Sequence, residues 1–452
     1  MPDHPVASAS LPLSREAMAD VARRSLEIAG ARGAADAEVE VSAAVGQSVT
    51  VRRAEVETVE YNRDKGMGIT VYFGRRRGNA STSDLSPDAV ERTVEAACAI
   101  ARHTAEDEAA GLPDAGRLYR GSPPDLDLFH PWGLTVEESI EIARRTEAAA
   151  LAVDKRISNT EGATVSAHDA DFVLANTRGF IGGFPTSKSS ISCSVVAEDA
   201  AGMQRDYWYT THRDPARLEG AESVGRTAGQ RTVRRLGSRR LPTTEAPVIF
   251  EANIAAGLLG HFVSAASGSN LYRRSSFLLD RVGTRVFAPG VDIREDPHLP
   301  GEMASAYFDA EGVATGSRLV VEDGILRGWF LSTYSARKLG LETTGNAGGN
   351  HNLVVKSGAL DLDAMVRKMG RGFLVTELMG QGVNPVTGDY SRGASGFWVE
   401  AGEIRFAVEE VTIAGNLLDM FAGIAAVGND AVTRGSKHCG SILVEKMTIA
   451  GD

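Results

Sequence analysis

The chain of 452 residues carries 48 Lys and Arg against 59 Asp and Glu, a net charge of −11, with nine His and three Cys. At roughly 150 residues per domain this length predicts about three domains with ample core, and the acidic balance excludes a sequence-independent nucleic-acid binder, which needs cations against phosphate. Cys98, Cys193 and Cys439 are too few and scattered for a disulfide framework or a four-thiolate zinc knuckle, and the longest apolar run, Ile254 to Ala266, is too short and too interrupted to span a membrane.

The opening MPDHPVASAS lacks a basic segment followed by an apolar run, so we expect no signal peptide and a reducing, cytoplasmic location. Leu13 to Gly30 predicts an amphipathic helix, with Met18, Val21, Ala22, Ser25, Ile28 and Ala29 at helical spacing. Its narrow apolar face suits packing on a sheet. Alternation follows in Val39, Val41, Val49, Val51, Val56 and Val59, then in GITVYFG from Gly68, and predicts an antiparallel meander with one wet face. Ser86 and Pro87 open a second helix as N-cap and first-turn proline, with Val90, Val94, Ala97, Cys98 and Ala101 on its inner stripe. Thr104 to Gly133, acidic and then Pro-rich, reads as a linker.

The same order then repeats. Thr135 and Glu138 form a capping box before a helix to about Val153, strands fall between Arg156 and Tyr209, and a helix runs from about Pro215 to Leu236. Its basic end, Arg231 to Arg240, reads as a solvated helix terminus. From Pro247 onward the chain holds 29 of its 49 glycines. Short strands in SRLVVEDG, ILRGWFL, GFLVTEL, GFWVEAG and EIRFAVEEVTIAG predict a β domain that closes on itself, interrupted by helices near Ala252 to Ala266 and Leu362 to Gly370, with a third after Asn416. The predicted fold is α+β: two similar helix-meander-helix units, at 1–110 and 125–240, followed by a Gly-rich, mainly β, barrel-like domain at 245–452.

A zinc hydrolase needs nitrogen, sulfur or oxygen ligands converging on one point and a carboxylate to take a proton from bound water. HExxH, HExxxH, CxxC and HxH are all missing. His261 lies on an apolar helix without a second His within a turn, and Cys439 in KHCGS is a lone thiol beside His438. The nucleophile elbow GxSxG is absent, GASG at Gly393 being one residue short. GGFPTSK from Gly182 and GMG at Gly66 lack the further glycines of phosphate-binding fingerprints. NAGGNHN, from Asn346 to Asn352, reads as a flexible turn or as a nest of backbone N–H groups. Asp280, Glu295, Asp296 and Glu302 read equally as an acidic surface loop. The residues alone thus describe a chain without a self-sufficient active site, whose β domain could take an extended peptide along a strand edge.

Several long strings carry a family resemblance. LYRRSSFLLD (from Leu271), STYSARKLGL (from Ser332), VTELMGQGVNPVTGDYSRGASGFWVEAGEI (from Val375), VTIAGNL (from Val411) and VGND (from Val427), with YNRDKGMGITVYFG, STSDLSPDAV, PDLDLFHP and DKRISNTEG in the first half, resemble the TldD/PmbA metallopeptidase family over nearly the whole chain. The closer likeness is to its PmbA-type (TldE-type) members. The resemblance implies a heteromeric peptidase in which a TldD-type subunit holds zinc through HExxxH, on a helix just before an RRGSS-like segment, and through a C-terminal cysteine. This chain keeps the neighbouring Arg273, Arg274, Ser275 and Ser276. The preceding helix, AAGLLGHFVSAASG, retains only His261, and Cys439 matches the cysteine. His261 and Cys439 are therefore weak metal candidates, with no catalytic residue and no metal of its own expected in this chain.

The resemblance further implies a TldD-type partner or, in isolation, a homodimer, and extended or unfolded peptide substrates such as leader peptides and antitoxins. No nucleic acid or membrane is expected as a partner. Arg273, Arg274, Gly380, Gly382, Tyr390 and Arg392 are the candidate partner or peptide contacts. Two other readings stay open: an autonomous metallohydrolase using His261, Cys439 and His298 or His351, and a regulatory binder of the gyrase-modulator type.

Overall fold

The computed structural model describes residues 11–451; the opening segment read for a signal peptide lies outside them. Helix α1 (Arg15–Ala31) starts at Ser14, whose hydroxyl accepts the Ala17 N–H at 3.2 Å, and it buries Met18, Ala22, Ser25 and Ala29, the stripe its spacing predicts. Strands β1 (Asp36–Arg52), β2 (Glu55–Phe73) and β3 (Arg76–Thr82) form the first meander. Helix α2 (Pro87–His103) follows; Ser86 takes the N-cap position but makes no side-chain cap bond. Helix α3 (Val136–Leu151) opens with the predicted capping box, Thr135 Oγ1 accepting the Glu138 N–H and the Glu138 carboxylate accepting the Thr135 N–H. Strands β4 (Ile157–Asn176), β5 (Ile181–Gly182), β6 (Thr186–Asp199) and β7 (Gly202–His212), with helix α4 (Ala221–Arg234), complete this half.

The two units share a single sheet. β1 pairs antiparallel with β4 from Glu38↔Asn176 to Val51↔Ala163, giving the strand order β3-β2-β1-β4-β6-β7 with β5 beside β4. Val39, Val41 and Val173 pack under α1 and α2, and Val51, Ala163 and Val165 under α3 and α4, so all four helices cover one face. The stretch read as a linker is a strap instead. Leu112, Leu118, Leu126 and Leu128 are buried, and the Asp107 carboxylate accepts from Tyr334 Oη and Lys338 Nζ, each at 2.7 Å, so it binds the sheet to the C-terminal half. The basic stretch also departs from its solvated reading. Arg231 pairs with Asp206 and Glu251, and Arg235 with Asp206 and Glu377, these side chains being turned inward between the halves.

The C-terminal half runs β8 (Thr244–Phe250), α5 (Ala252–Ala265), α6 (Gly268–Tyr272), β9 (Ile293–Asp296), β10 (Arg318–Glu322), β11 (Ile325–Leu326), α7 (Thr333–Leu339), β12 (Asn352–Val355), α8 (Leu362–Met369), β13 (Gly372–Met379), β14 (Asp389–Glu400), β15 (Glu403–Asn416), α9 (Leu417–Ala422), β16 (Ile424–Val427), β17 (Lys437–His438) and β18 (Ile442–Ala450). Strands β15-β14-β13-β8-β18 close into a five-stranded barrel through β15–β18 pairing at Thr412↔Ala450, with β16 on its flank. Helix α5 packs Leu258, Leu259 and Phe262 into the barrel's main core beside Val248, Phe250 and Phe373. A second sheet, β11-β10-β9-β12-β17, lies alongside. The strand predicted in ILRGWFL is confined to two residues, and Phe330 bridges Ser267 instead. Among the described residues no helix is long and apolar enough to cross a membrane.

Candidate functional site

Helix α5 begins where β8 leaves the barrel wall. The Ser441 hydroxyl accepts the Ala252 N–H at 3.0 Å and donates to Asp430 at 2.6 Å, and Glu251 holds Arg231, so the helix start is fixed from both sides. One face of the helix is core; Asn253, Gly257, Gly260, His261 and Ser264 lie on the other, and a Cβ at Gly257 would meet nothing within 4 Å. His261 sits on this outward face with its ring edge-on to Tyr390, centroids 5.8 Å apart, and Tyr390 is edge-on to Phe250 in turn. Burial, reinforced by the nearby Arg392 guanidinium, lowers the proton affinity of His261. Burial also pushes the Tyr390 hydroxyl up to about 12.

After α5 the chain is pinned by Ser276, whose hydroxyl donates to the Ala265 carbonyl at 2.6 Å and accepts the Leu278 N–H. Phe277 N–H then donates to the Pro385 carbonyl, which draws in the connection between β13 and β14. The connection folds back on the start of β14: the Ser391 N–H donates to the Gly382 carbonyl, and a Cβ on Gly382 would lie 1.9 Å from the Ser391 oxygen, so no other residue fits there. Gly380 has φ +76°, Arg274 φ +56°, and Arg273 stacks its guanidinium on Tyr272. Of the candidate contacts, Arg273, Arg274, Gly380 and Gly382 are exposed and Arg392 is half-buried. Tyr390 is the exception: it is 2% exposed and faces inward.

The remaining candidates each have a separate partner. Cys439 belongs to the barrel core, and its thiol donates to the Gly440 carbonyl at 3.0 Å. Burial, with the Asp430 charge, pushes that thiol up to about 12, which keeps it protonated. His298 Nε2 lies 3.1 Å from Thr315 Oγ1, and His351 Nδ1 lies 3.2 Å from Glu295 Oε1. Among the described residues no three His, Cys, Asp or Glu side chains converge as a metal centre requires. A histidine beside the Arg392 guanidinium and a thiol packed inside the barrel core, with no cluster of further ligands around either among the described residues, do not fit a hydrolytic metal.

The NAGGNHN turn is neither flexible nor an open nest. Its Ala347 and His351 N–H groups donate to the protein's own Asp309 and Glu295 carboxylates, and Asn346 Nδ2 donates to Glu295 at 2.7 Å. Burial would raise the Glu295 carboxyl, but His351 and Arg318 outweigh it and hold it below its ordinary value. A cleft of about 450 Å³ opens between this turn and the uncovered face of the large sheet, lined among others by Glu40, Asp171, Phe172, Arg213, Asp309 and His351. Sequence reading missed it, because its walls come from strands and loops far apart in the chain. Nearby, Glu38 is pushed up to about 8 by burial and by Glu311 and Asp309, with Arg77 opposing.

Three family profiles match the chain: PmbA/TldA metallopeptidase domain 1 over residues 37–101, the central domain over 129–236 and the C-terminal domain over 243–451. The chain is 48% identical to the metalloprotease PmbA of Escherichia coli O157:H7, covering 97% of each chain. It is 46% identical to a metalloprotease PmbA homolog of Haemophilus influenzae, covering 93% of each. Likeness to a metalloprotease TldD homolog of Haemophilus influenzae is lower, at 21% identity over 82% of this chain and 80% of that one. A Bacteroides thetaiotaomicron crystal structure, described as a candidate modulator of DNA gyrase, superposes with TM-score 0.92 at 27% identity, covering 97% of this chain and all of the other. Thermococcus kodakarensis TldE shares the fold, with TM-score 0.83 at 22% identity and coverage of 96% and 100%. The chain belongs to the PmbA/TldD metallopeptidase family, as a member of its PmbA type.

Proposed function

We propose that this chain is the non-catalytic subunit of a heteromeric, cytoplasmic TldD/PmbA-type zinc peptidase that processes or degrades extended, unfolded peptides such as leader peptides and antitoxins. The observation that carries this reading is the exposed face of α5. At the place where a TldD-type partner is expected to carry its HExxxH, this helix presents Gly257, Gly260 and a single His261 directed at Tyr390 and Arg392. A cation beside the lone imidazole opposes a bound metal cation, and no carboxylate on that helix face can serve as general base. The chain would then contribute surface: the outward face of α5 and the exposed loop around Gly380 and Gly382, where backbone pairing accepts a strand of any sequence.

The test compares the purified chain alone with the chain co-expressed with a TldD-type subunit, measuring zinc per particle and cleavage of an unfolded peptide. We expect no stoichiometric zinc and no cleavage alone, and chelator-sensitive cleavage by the pair. Zinc-dependent cleavage by the isolated chain, abolished by Cys439→Ser, would establish an autonomous enzyme instead. A pull-down recovering gyrase without any TldD-type chain would likewise overturn the proposal.

A further inference from the structure

The outward face of α5 carries Asn253, Gly257, Gly260, His261 and Ser264 in one stripe about 16 Å long, with no carboxylate among them. Cations reach this stripe from separate parts of the chain. At its start Arg434 Nη1 donates to Asn253 Oδ1 at 2.7 Å, the guanidinium lying 4.2 Å from the ring centres of both Trp208 and Tyr209. Two turns further on, Lys437 passes over Gly260, where an added Cβ would lie 3.9 Å from its Cε. Beside that point His261 meets Tyr390 and Arg392, which alternate onto one side of β14.

Anions are what this face lacks. Among the described residues neither Lys437 nor Arg392 has a carboxylate within ion-pair distance, and the Arg392 Nε is buried without a hydrogen-bond acceptor. Lys437 Nζ has the Ser436 hydroxyl at 3.4 Å. Arg434 lies 3.7 Å from Glu219, whose carboxylate already accepts from Trp208 Nε1, and Glu251 at the helix start is held by Arg231 at 2.9 Å. Burial lowers the proton affinity of Lys437 with no nearby anion to oppose it, which agrees with a face short of negative charge. Other partly buried arginines are matched, Arg231 by Asp206 and Glu251 and Arg318 by Glu295. In a chain of net charge −11, where carboxylates outnumber cations, this row is placed to receive carboxylates from outside, and its partial burial strengthens each such contact. We propose that the outward face of α5, with Arg392, Lys437 and Arg434 along it, binds an extended peptide through its acidic side chains, so that this subunit selects acidic peptides. The inference rests on the peptide-handling role proposed above and adds the class of sequence taken up.

The test is fluorescence anisotropy of the full-length chain with a labelled, unstructured peptide of Gly, Ser and Glu, set against the same peptide with Gln for Glu. The Glu peptide is expected to bind about tenfold more tightly or better, and Lys437→Gln and Arg392→Gln should each remove about threefold of that difference while leaving the Gln peptide unchanged. Gly257→Glu, at a position where a Cβ meets nothing within 4 Å, supplies a carboxylate from the helix itself. It should abolish the preference and, by replacing a glycine inside a helix, raise the thermal midpoint, which verifies that this variant folds. Failure to bind the Glu peptide, equal binding of the two peptides, or a preference that survives both Gly257→Glu and Lys437→Gln would overturn the inference. Single-stranded DNA binding as tightly as the Glu peptide would overturn it too. With a TldD-type subunit added, cleavage of both peptides at one rate would overturn the inference and leave the peptidase reading standing. A charge-selective chain whose pair cuts nothing would support the inference and sink that reading.

Discussion

Arg53 and Ala54 turn the β1–β2 hairpin with φ of +53° and +62°, a left-handed conformation that costs a side-chain-bearing residue about 1–2 kcal/mol. Glu147, buried on α3, offsets that cost by accepting both turn N–H groups at 2.8 and 2.7 Å. Ala54→Gly should therefore raise unfolding stability by about 1 kcal/mol, whereas Glu147→Ala should lower it by roughly 2–4 kcal/mol in urea titrations. Glu38 supports a prediction in pH. Its folded value, about 8, lies above the ordinary 4.5 because burial and the Glu311, Asp309 and Glu40 charges disfavour the anion more than Arg77 favours it. The folded chain thus holds this proton more tightly than the unfolded chain, and stability contributed by Glu38 falls as pH rises from about 4.5 to about 8. Thermal unfolding of Glu38→Gln should lose that slope and gain roughly 1–3 kcal/mol at pH above 8 relative to the unaltered protein.

Among the elements, α3 and α4 approach more closely than ordinary side chains permit. A Cβ on Gly225 would lie 2.0 Å from the Thr146 carbonyl oxygen, and one on Gly229 would lie 2.7 Å from the Ala150 oxygen, both backbone atoms that cannot move aside. Glycines four residues apart on one helix face form the contact, so Gly225→Ala should destabilise the protein by about 3 kcal/mol in denaturant unfolding. Helices and meanders of this half are legible in sequence because each has its own period, cap or stop: the stripe of Met18, Ala22 and Ala29 and the Thr135–Glu138 capping box act within one turn of the chain. The strap at 104–133 was not legible, because Leu112, Leu118, Leu126 and Leu128 are scattered apolar residues whose burial depends on surfaces far away in sequence.

Across the whole molecule, the sheet and the barrel are joined by charge. Arg231 and Arg235, on and just after α4, share Asp206 of β7 and separately reach Glu251 before α5 and Glu377 of β13. Arg235 is 7% exposed, and Arg235→Ala leaves the half-buried Glu377 without its cation and Asp206 with Arg231 alone, so it should cost about 1.5–3 kcal/mol by equilibrium unfolding. Arg239→Ala, which removes a solvent-exposed contact of its guanidinium with the Phe406 ring, should cost no more than about 1 kcal/mol. The contrast separates a clasp between the halves from surface decoration in one basic stretch.

The sequence by itself determined the α+β class, the repeated helix-meander order, the glycine-rich barrel and the family, because period, capping, turn composition and long identical strings are local properties. It also showed that α5 carries one histidine and no glutamate. Only the tertiary structure decided that the two meanders form one sheet, that Tyr390 and Cys439 are interior, that His261 faces Arg392, and that Arg231 and Arg235 of the basic run form a buried clasp. Those outcomes depend on pairing and desolvation between residues far apart in the chain, and local spacing carries no record of either.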